Sequence, residues 1–261
     1  ILKNKSQTRA QRLANISPQL RNRDSLLSSQ IFLLGAYDNR VDISFQPIIE
    51  LEDSLRTALP IIHIYTAWGD KENQQFPENK IRTIAALGSI PMITWEPWLN
   101  DFESSGNKPA DATQDPNKGG LKKIAAGQYD LYLRSWAESA KNSGMTILLR
   151  LGHEMNDPYR YPWGPQNNQP EDFLAAWKHV VSIFREIGAD NIVWIWAPHL
   201  AYGQMEAFYP GSEWVDWIST GTLNYGTVAP WSQWWSFSTD WTFGSWCRKI
   251  HSPYKLRCLC C

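Results

Sequence analysis

The first 246 residues of this 261-residue chain contain no cysteine. A disulfide framework or a thiolate metal site is thereby excluded from all but the last 15 residues, where Cys247, Cys258, Cys260 and Cys261 fall together. Even there the spacing fits no ordinary zinc pattern, because Cys260 and Cys261 are adjacent and the only nearby imidazole is His251. No apolar run approaches the roughly 18 residues that span a bilayer. Neither sign of charge dominates: 25 Lys and Arg face 26 Asp and Glu, for a net charge of −1. That balance gives no electrostatic footprint for nucleic acid or an anionic membrane. The chain opens without Met and without an apolar secretory segment. Its polar start, "ILKNKSQTRAQRLANISPQLRNRD", reads as an internal piece of a longer protein and withholds the compartment.

What the chain has in excess is tryptophan, 15 residues. Trp is costly to place because its N–H needs a partner. Many of these residues (Trp68, Trp95, Trp98, Trp163, Trp196) stand where strands should end, which predicts an aromatic ligand cleft more than a purely structural core.

Apolar, β-rich runs alternate with helical periodicity. Strands are predicted over 31–37, 61–67, 90–98, 146–154, 191–198 and within 215–226. The best helix carries Phe173, Leu174, Trp177, Val180, Val181, Phe184 and Ile187 at helical spacing, starts after Pro170 and stops at Gly188. Six β/α units occupy about 195 residues, and near-continuous apolar strands imply a parallel sheet covered on both faces. The first strand lacks the glycine-rich turn of a dinucleotide-binding sheet. Polar and aromatic residues instead follow every strand: Asp38, Trp68, Glu96, Glu154, His199 and Tyr225. In a (β/α)8 barrel those ends share the face that carries active sites. The expected fold is therefore an α/β TIM-type barrel of about six units, with strands 7 and 8 missing. Residues 1–30 form a polar lead segment, 31–237 the barrel and 238–261 an aberrant Cys-rich tail. The polar stretch 99–120 leaves the third strand on the site face, as a floppy insertion or as a cleft wall.

"LLRLGHEMNDPYRYPWG" (148–164) ends an apolar run on His153 and Glu154. It is not the zinc helix H-E-x-x-H, since Asp157 stands where the second His would be. No metal and no cofactor are expected. A carboxylic acid walled by Tyr159, Tyr161 and Trp163 is partly desolvated, which suits general acid/base work. Aromatic faces with carboxylates and few cations suit a neutral polysaccharide or oligosaccharide. The structural alternative for Glu154 is an ion pair with Arg150, four residues earlier on the same strand face.

The same stretch resembles the fourth-strand motif of glycoside hydrolase family 26, the β-mannanase family of the clan A barrels. "ITWEPW" (93–98), "GQYDLYLRSWA" (127–137), "FLAAWKHVVSIFREIGADNIVWIWAP" (173–198) and "YPGSEWVDWISTGTLNYG" (209–226) are similar too, and in the same order. The resemblance covers about residues 31–237. It implies a retaining endo-hydrolase of β-mannan or a related β-glycan, with Glu154 as acid/base. It further implies that His153 and Asn156 shape the site floor, that Trp163 lines the sugar cleft and that Tyr225 orients the nucleophile. Trp95, Glu96, Tyr161 and His199 complete the expected substrate-binding set. An extracellular or cell-envelope location is implied in the same way.

Two departures stand out. The family often has a Gly and a Trp soon after "HEMN", where this chain has Asp157, Pro158 and Tyr159. Retaining chemistry also needs a second carboxylate about 5–5.5 Å from the first, which the family carries on strand seven. Residues 238–261 contain no Glu and no apolar run of strand length. A reading-frame shift near residue 238 accounts for this, and predicts a tail with no parallel strand beside the sixth. Two other readings stand beside the retaining one. One is an inverting hydrolase pairing Glu154 with Glu96 or Asp38; the other is a non-catalytic glycan-binding module.

Overall fold

The computed structural model describes residue 11 and residues 21–29, 33–102, 115–220, 226–228, 230, 233–234 and 258–260. Its sheet is parallel throughout, and the strands follow one another in chain order. They are β1 (Gly35–Ala36), β2 (Ile61–Ala67), β3 (Ile90–Glu96), β4 (Ile147–Leu151), β5 (Ile192–Trp196), β6 (Trp217–Thr220) and β7 (Cys258–Cys260). This is the order of an incomplete (β/α)8 barrel. The helices that return the chain are α2 (Gln46–Leu55), α3 (Glu78–Ala86), α5 (Asp130–Ser143) and α6 (Pro170–Ile187); α1 (Arg23–Ser28) precedes the sheet, and the short α4 (Gly120–Ala125) precedes α5.

The ends of α6 are written in its sequence. Pro170 fills the first turn, Gln169 donates its N–H to Asp172 at 2.9 Å, and Gly188 closes the helix at φ 78°. Only a residue without a Cβ takes that left-handed turn cheaply. The helix buries Phe173, Trp177, Val180, Val181 and Phe184 against the sheet.

Every strand has two faces, because side chains alternate. The outward set of Ile62, Ile64, Ile93, Trp95, Leu149, Leu151, Trp194 and Trp196 joins the helices in the main core. The inward set begins as an apolar layer of Ile61, Ile90, Met92, Leu148, Val193, Ile195 and Trp217. Leu26 of α1 plugs that layer from below. Arg23 holds α1 in place, bonded to the Asp216 carboxylate and the Ile192 carbonyl, each at 2.7 Å. Above the apolar layer the inward side chains turn polar.

Two expectations need correction. Three tail residues do pair beside the sixth strand, in parallel register from Ile218↔Cys258 to Thr220↔Cys260. An open strand offers backbone donors and acceptors to any extended segment, and three residues are too few for an apolar pattern to reveal. Among the described residues, moreover, the tryptophans are chiefly core: Trp68, Trp95, Trp136, Trp163, Trp177, Trp196 and Trp217 are among the largest fully buried side chains. The first strand is reduced to two described residues. Positions 103–114 of the expected insertion, and the tail apart from 258–260, lie outside the described residues. Among the described residues no helix is long and apolar enough to cross a membrane.

Candidate active site

The rim at the carboxyl ends of the strands is stitched by backbone bonds that continue the ladders. The Trp68 amide reaches the Glu96 carbonyl at 2.7 Å, Gly152 reaches Trp95 at 3.0 Å, and Glu154 reaches Ala197 at 2.6 Å. Residues that leave β2, β3, β4 and β5 are thus brought to one edge. Glu96, Glu154 and His199 share it, as the sequence predicts. Tyr225 lies outside the described residues.

Beneath the rim sits a polar layer of which only Arg150 stands out in the sequence. The Arg150 guanidinium donates through Nε to Thr94 Oγ1 at 2.8 Å and through Nη2 to the Tyr65 hydroxyl at 3.3 Å. Thr94 Oγ1 also lies 2.6 Å from His63 Nε2. Burial, and then the Arg150 charge, hold the His63 pKa well below its ordinary value. Arg150 therefore pairs with hydroxyls rather than with Glu154, and the expected alternative of an Arg150–Glu154 ion pair gives way.

On this layer stand His153, Glu96 and Tyr161. His153 Nε2 meets the Tyr161 hydroxyl at 3.0 Å. Its Nδ1 is buried, makes no hydrogen bond among the described residues and lies 3.9 Å from Glu96 Oε1. Burial pulls the His153 pKa down to about 3, with Arg150 and Arg160 adding to it. A neutral imidazole therefore sits beside Glu96. Burial pushes the Glu96 carboxyl up, against a 3.0 Å hydrogen bond from the Trp98 indole that holds it down. Trp163 lies under Tyr161, rings stacked at 4.7 Å, and its N–H donates to the His153 carbonyl at 2.8 Å. It supports the wall from behind, being 2% exposed.

Trp95 does not join the site. It is fully buried on the helix side, stacked 4.4 Å from Trp136. Strand alternation explains this: with Glu96 facing inward, its neighbour must face outward. Asp38 is engaged elsewhere, its carboxylate taking the Arg40 backbone N–H at 2.8 Å and its guanidinium at 2.8 and 2.9 Å.

Glu154 itself adopts φ 53°, a left-handed conformation that costs a residue with a Cβ about 1–2 kcal/mol. Its carboxylate is 18% exposed and lies 3.5 Å from the exposed Arg160 guanidinium. Asn156, buried, locks the neighbouring loops. Its Nδ2 donates to the carbonyls of His199 at 2.9 Å and Tyr202 at 3.0 Å, and its Oδ1 accepts the His199 N–H at 2.7 Å. Asp157 and His199 come close to Glu154, one oxygen or nitrogen of each within 4.8 Å of the others.

The sequence profile of glycosyl hydrolase family 26 matches residues 70–242. Endoglucanase H of Acetivibrio thermocellus is 35% identical over 188 residues, 69% of this chain and 18% of that protein. A mannan endo-1,4-beta-mannosidase of Bacillus subtilis is 33% identical over 103 residues, 37% of this chain and 26% of that protein. The chain thus spans only a minor part of the length of the curated relatives it matches. Among solved structures, a beta-mannanase from a symbiotic protist of the termite Reticulitermes speratus, complexed with gluco-manno-oligosaccharide, superposes with a TM-score of 0.64. It is 15% identical, over 88% of this chain and 74% of that one. A Bacillus subtilis mannanase gives 0.55 at 20% identity, over 72% and 63%. On the profile match across most of its length, this chain belongs to glycosyl hydrolase family 26.

Proposed function

We propose that residues 31–237 form the barrel of a β-glycan hydrolase acting on β-mannan or a related β-linked polysaccharide, with Glu154 as its acid/base. The observation that carries the reading is the conformation of Glu154. A glutamate held at positive φ on a strand-end rim, with its carboxylate partly exposed, bears strain of the kind that clusters at functional sites. In the retaining reaction Glu154 protonates the leaving glycosidic oxygen while a second carboxylate attacks the anomeric carbon. Glu154 then takes a proton from the water that releases the sugar. Glu96, His153, Asn156, Tyr161, Trp163, His199 and Tyr225 bind or position substrate, without metal or cofactor.

No glutamate follows Glu213 in this chain, so the nucleophile of the retaining scheme is absent from it as written. The test pairs this chain with a version that restores a seventh strand ending in Glu. Activity on β-mannan should be far higher in the restored chain. Within it, Glu154→Gln should lower kcat/KM about 10²–10⁴-fold. An aryl glycoside with a good leaving group should lose much less in its first step, because that group needs no proton. Equal rates for the two chains would assign the second carboxylate to an acid already present. Binding of oligosaccharide without turnover in both would favour a glycan-binding module.

A further inference from the structure

On the β5 side of Glu154, the side chains of Asp157 and His199 approach each other without touching. The nearest oxygens of Glu154 and Asp157 and a ring nitrogen of His199 all lie within 4.8 Å. No ion pair joins His199 to either carboxylate among the described residues. Asn156 ties the His199 loop to the Glu154 loop. Asp157 is 1% exposed, and its Oδ1 accepts the backbone N–H groups of Tyr159 at 2.8 Å and Arg160 at 3.2 Å. The gap between them is therefore built into the fold.

A divalent cation is one conceivable occupant, and the donor chemistry opposes it. His199 Nδ1 accepts the Ala201 N–H at 3.1 Å. In the neutral ring the proton is then on Nε2, so neither ring nitrogen keeps a free lone pair for a metal. Tetrahedral ligands of zinc at about 2.1 Å would also stand only about 3.4 Å apart. A hydroxyl oxygen suits the gap better. Two hydrogen bonds of about 2.8 Å meeting at a tetrahedral angle separate their partners by about 4.5 Å. The hydroxyl accepts from one partner and donates to the other, as His199 and Asp157 require.

The surroundings suit a sugar. Tyr202 packs on His199 with centroids 4.8 Å apart, and Tyr159 meets Tyr202 edge-on at 6.0 Å. Tyr159 is 81% exposed, an apolar ring face open to the C–H face of a pyranose.

We propose that Asp157 and His199 hold one hydroxyl of the sugar ring on the β5 side of the cleaved bond, His199 donating to it and Asp157 accepting from it, with Tyr159 and Tyr202 flanking the ring. This rests on the glycan reading above and adds a specificity-determining pair to it. The test is calorimetric titration of the full chain with β-1,4-mannohexaose. The comparison set is wild type, Asp157→Asn, His199→Phe and the double variant. Asn keeps the Oδ1 turn but cannot accept from the hydroxyl. Phe keeps the ring against Tyr202 but removes the N–H, and carries the test alone if Asp157→Asn fails to fold. Each single variant should bind about tenfold or more weakly. The double variant should be little weaker than the worse single, since both act on one hydroxyl.

No binding by folded wild type would overturn the glycan reading together with the pair. Binding by wild type that either folded variant matches, or losses that multiply in the double variant, would overturn the pair alone. So would micromolar affinity for zinc chloride that His199→Phe abolishes, which would make the gap a cation site.

Discussion

Glu154 carries two demands that conflict. Its carboxylate must stand at the rim, and its backbone must turn at φ 53°. Asn tolerates the left-handed region better than Glu does. Glu154→Asn should therefore leave thermal stability unchanged or raise it by up to about 1 kcal/mol, read as the urea midpoint. The same change should abolish the acid/base role in the restored chain. A clear loss of stability would mean that Glu154 is held by contacts stronger than its 3.5 Å approach to Arg160. Single residues were legible in the sequence where chemistry marked them, as with Glu154 and His153. Thr94 and His63 were not, because each also occurs as an ordinary strand residue, and Arg150 stood out only as a partner for Glu154. Counting back in twos from Glu96 reaches Thr94, Met92 and Ile90, the inward face of β3, so strand parity holds the signal that residue types conceal. Parity likewise sends Trp95 to the helices. Asp157 was visible only as an oddity of its loop; its approach to within 4.8 Å of His199 spans 42 positions of sequence and needs the fold.

At the scale of elements, the loops after β4 and β5 behave as one piece because Asn156 bonds both. Its amide group reads two carbonyls and one N–H at once. Asn156→Asp keeps the acceptor for the His199 N–H but sets an oxygen against the carbonyls of His199 and Tyr202. We expect a loss of about 2–4 kcal/mol, from a charged group left unsatisfied in a buried position, and weaker oligosaccharide binding. Asn156→Ala should cost less than Asn156→Asp, although it removes more atoms. The reverse order, measured by urea unfolding, would show that packing rather than donor polarity holds the loops. Elements were the most legible level of the sequence. β2 and α6 fall within a few residues of their expected bounds, since long apolar runs and helix caps are local signals. The pairing of Cys258–Cys260 was missed because it depends on β6 and not on its own three residues.

The whole molecule should be sensitive to mild acid. His153 is held neutral down to about pH 3 and His63 is also pushed well below its ordinary value. An unfolded chain takes up those two protons near pH 6.5. Below that pH the unfolded state binds more protons than the folded one, so stability falls as pH falls. The slope should approach about 1.4 kcal/mol per pH unit for each histidine. Glu96, whose pKa is raised, offsets part of this just above pH 4.5, because the folded state keeps its proton longer. Urea midpoints should therefore drop between pH 7 and 5. In His63→Asn the drop should be shallower, the remaining slope being that of His153. A midpoint flat across this window would mean that both rings can charge in place.

The alternation of β3 has a genetic consequence. Trp95 and Glu96 are neighbours in the chain, yet one seals the helical core and the other faces the rim. Insertion of one codon between positions 91 and 94 would exchange the two destinations, sending a carboxylate into the hydrophobic layer and an indole into the cleft. Insertion of two codons would preserve the assignment and merely lengthen the strand. A library of in-frame insertions across this strand, sorted for soluble expression, should therefore tolerate pairs more often than singles.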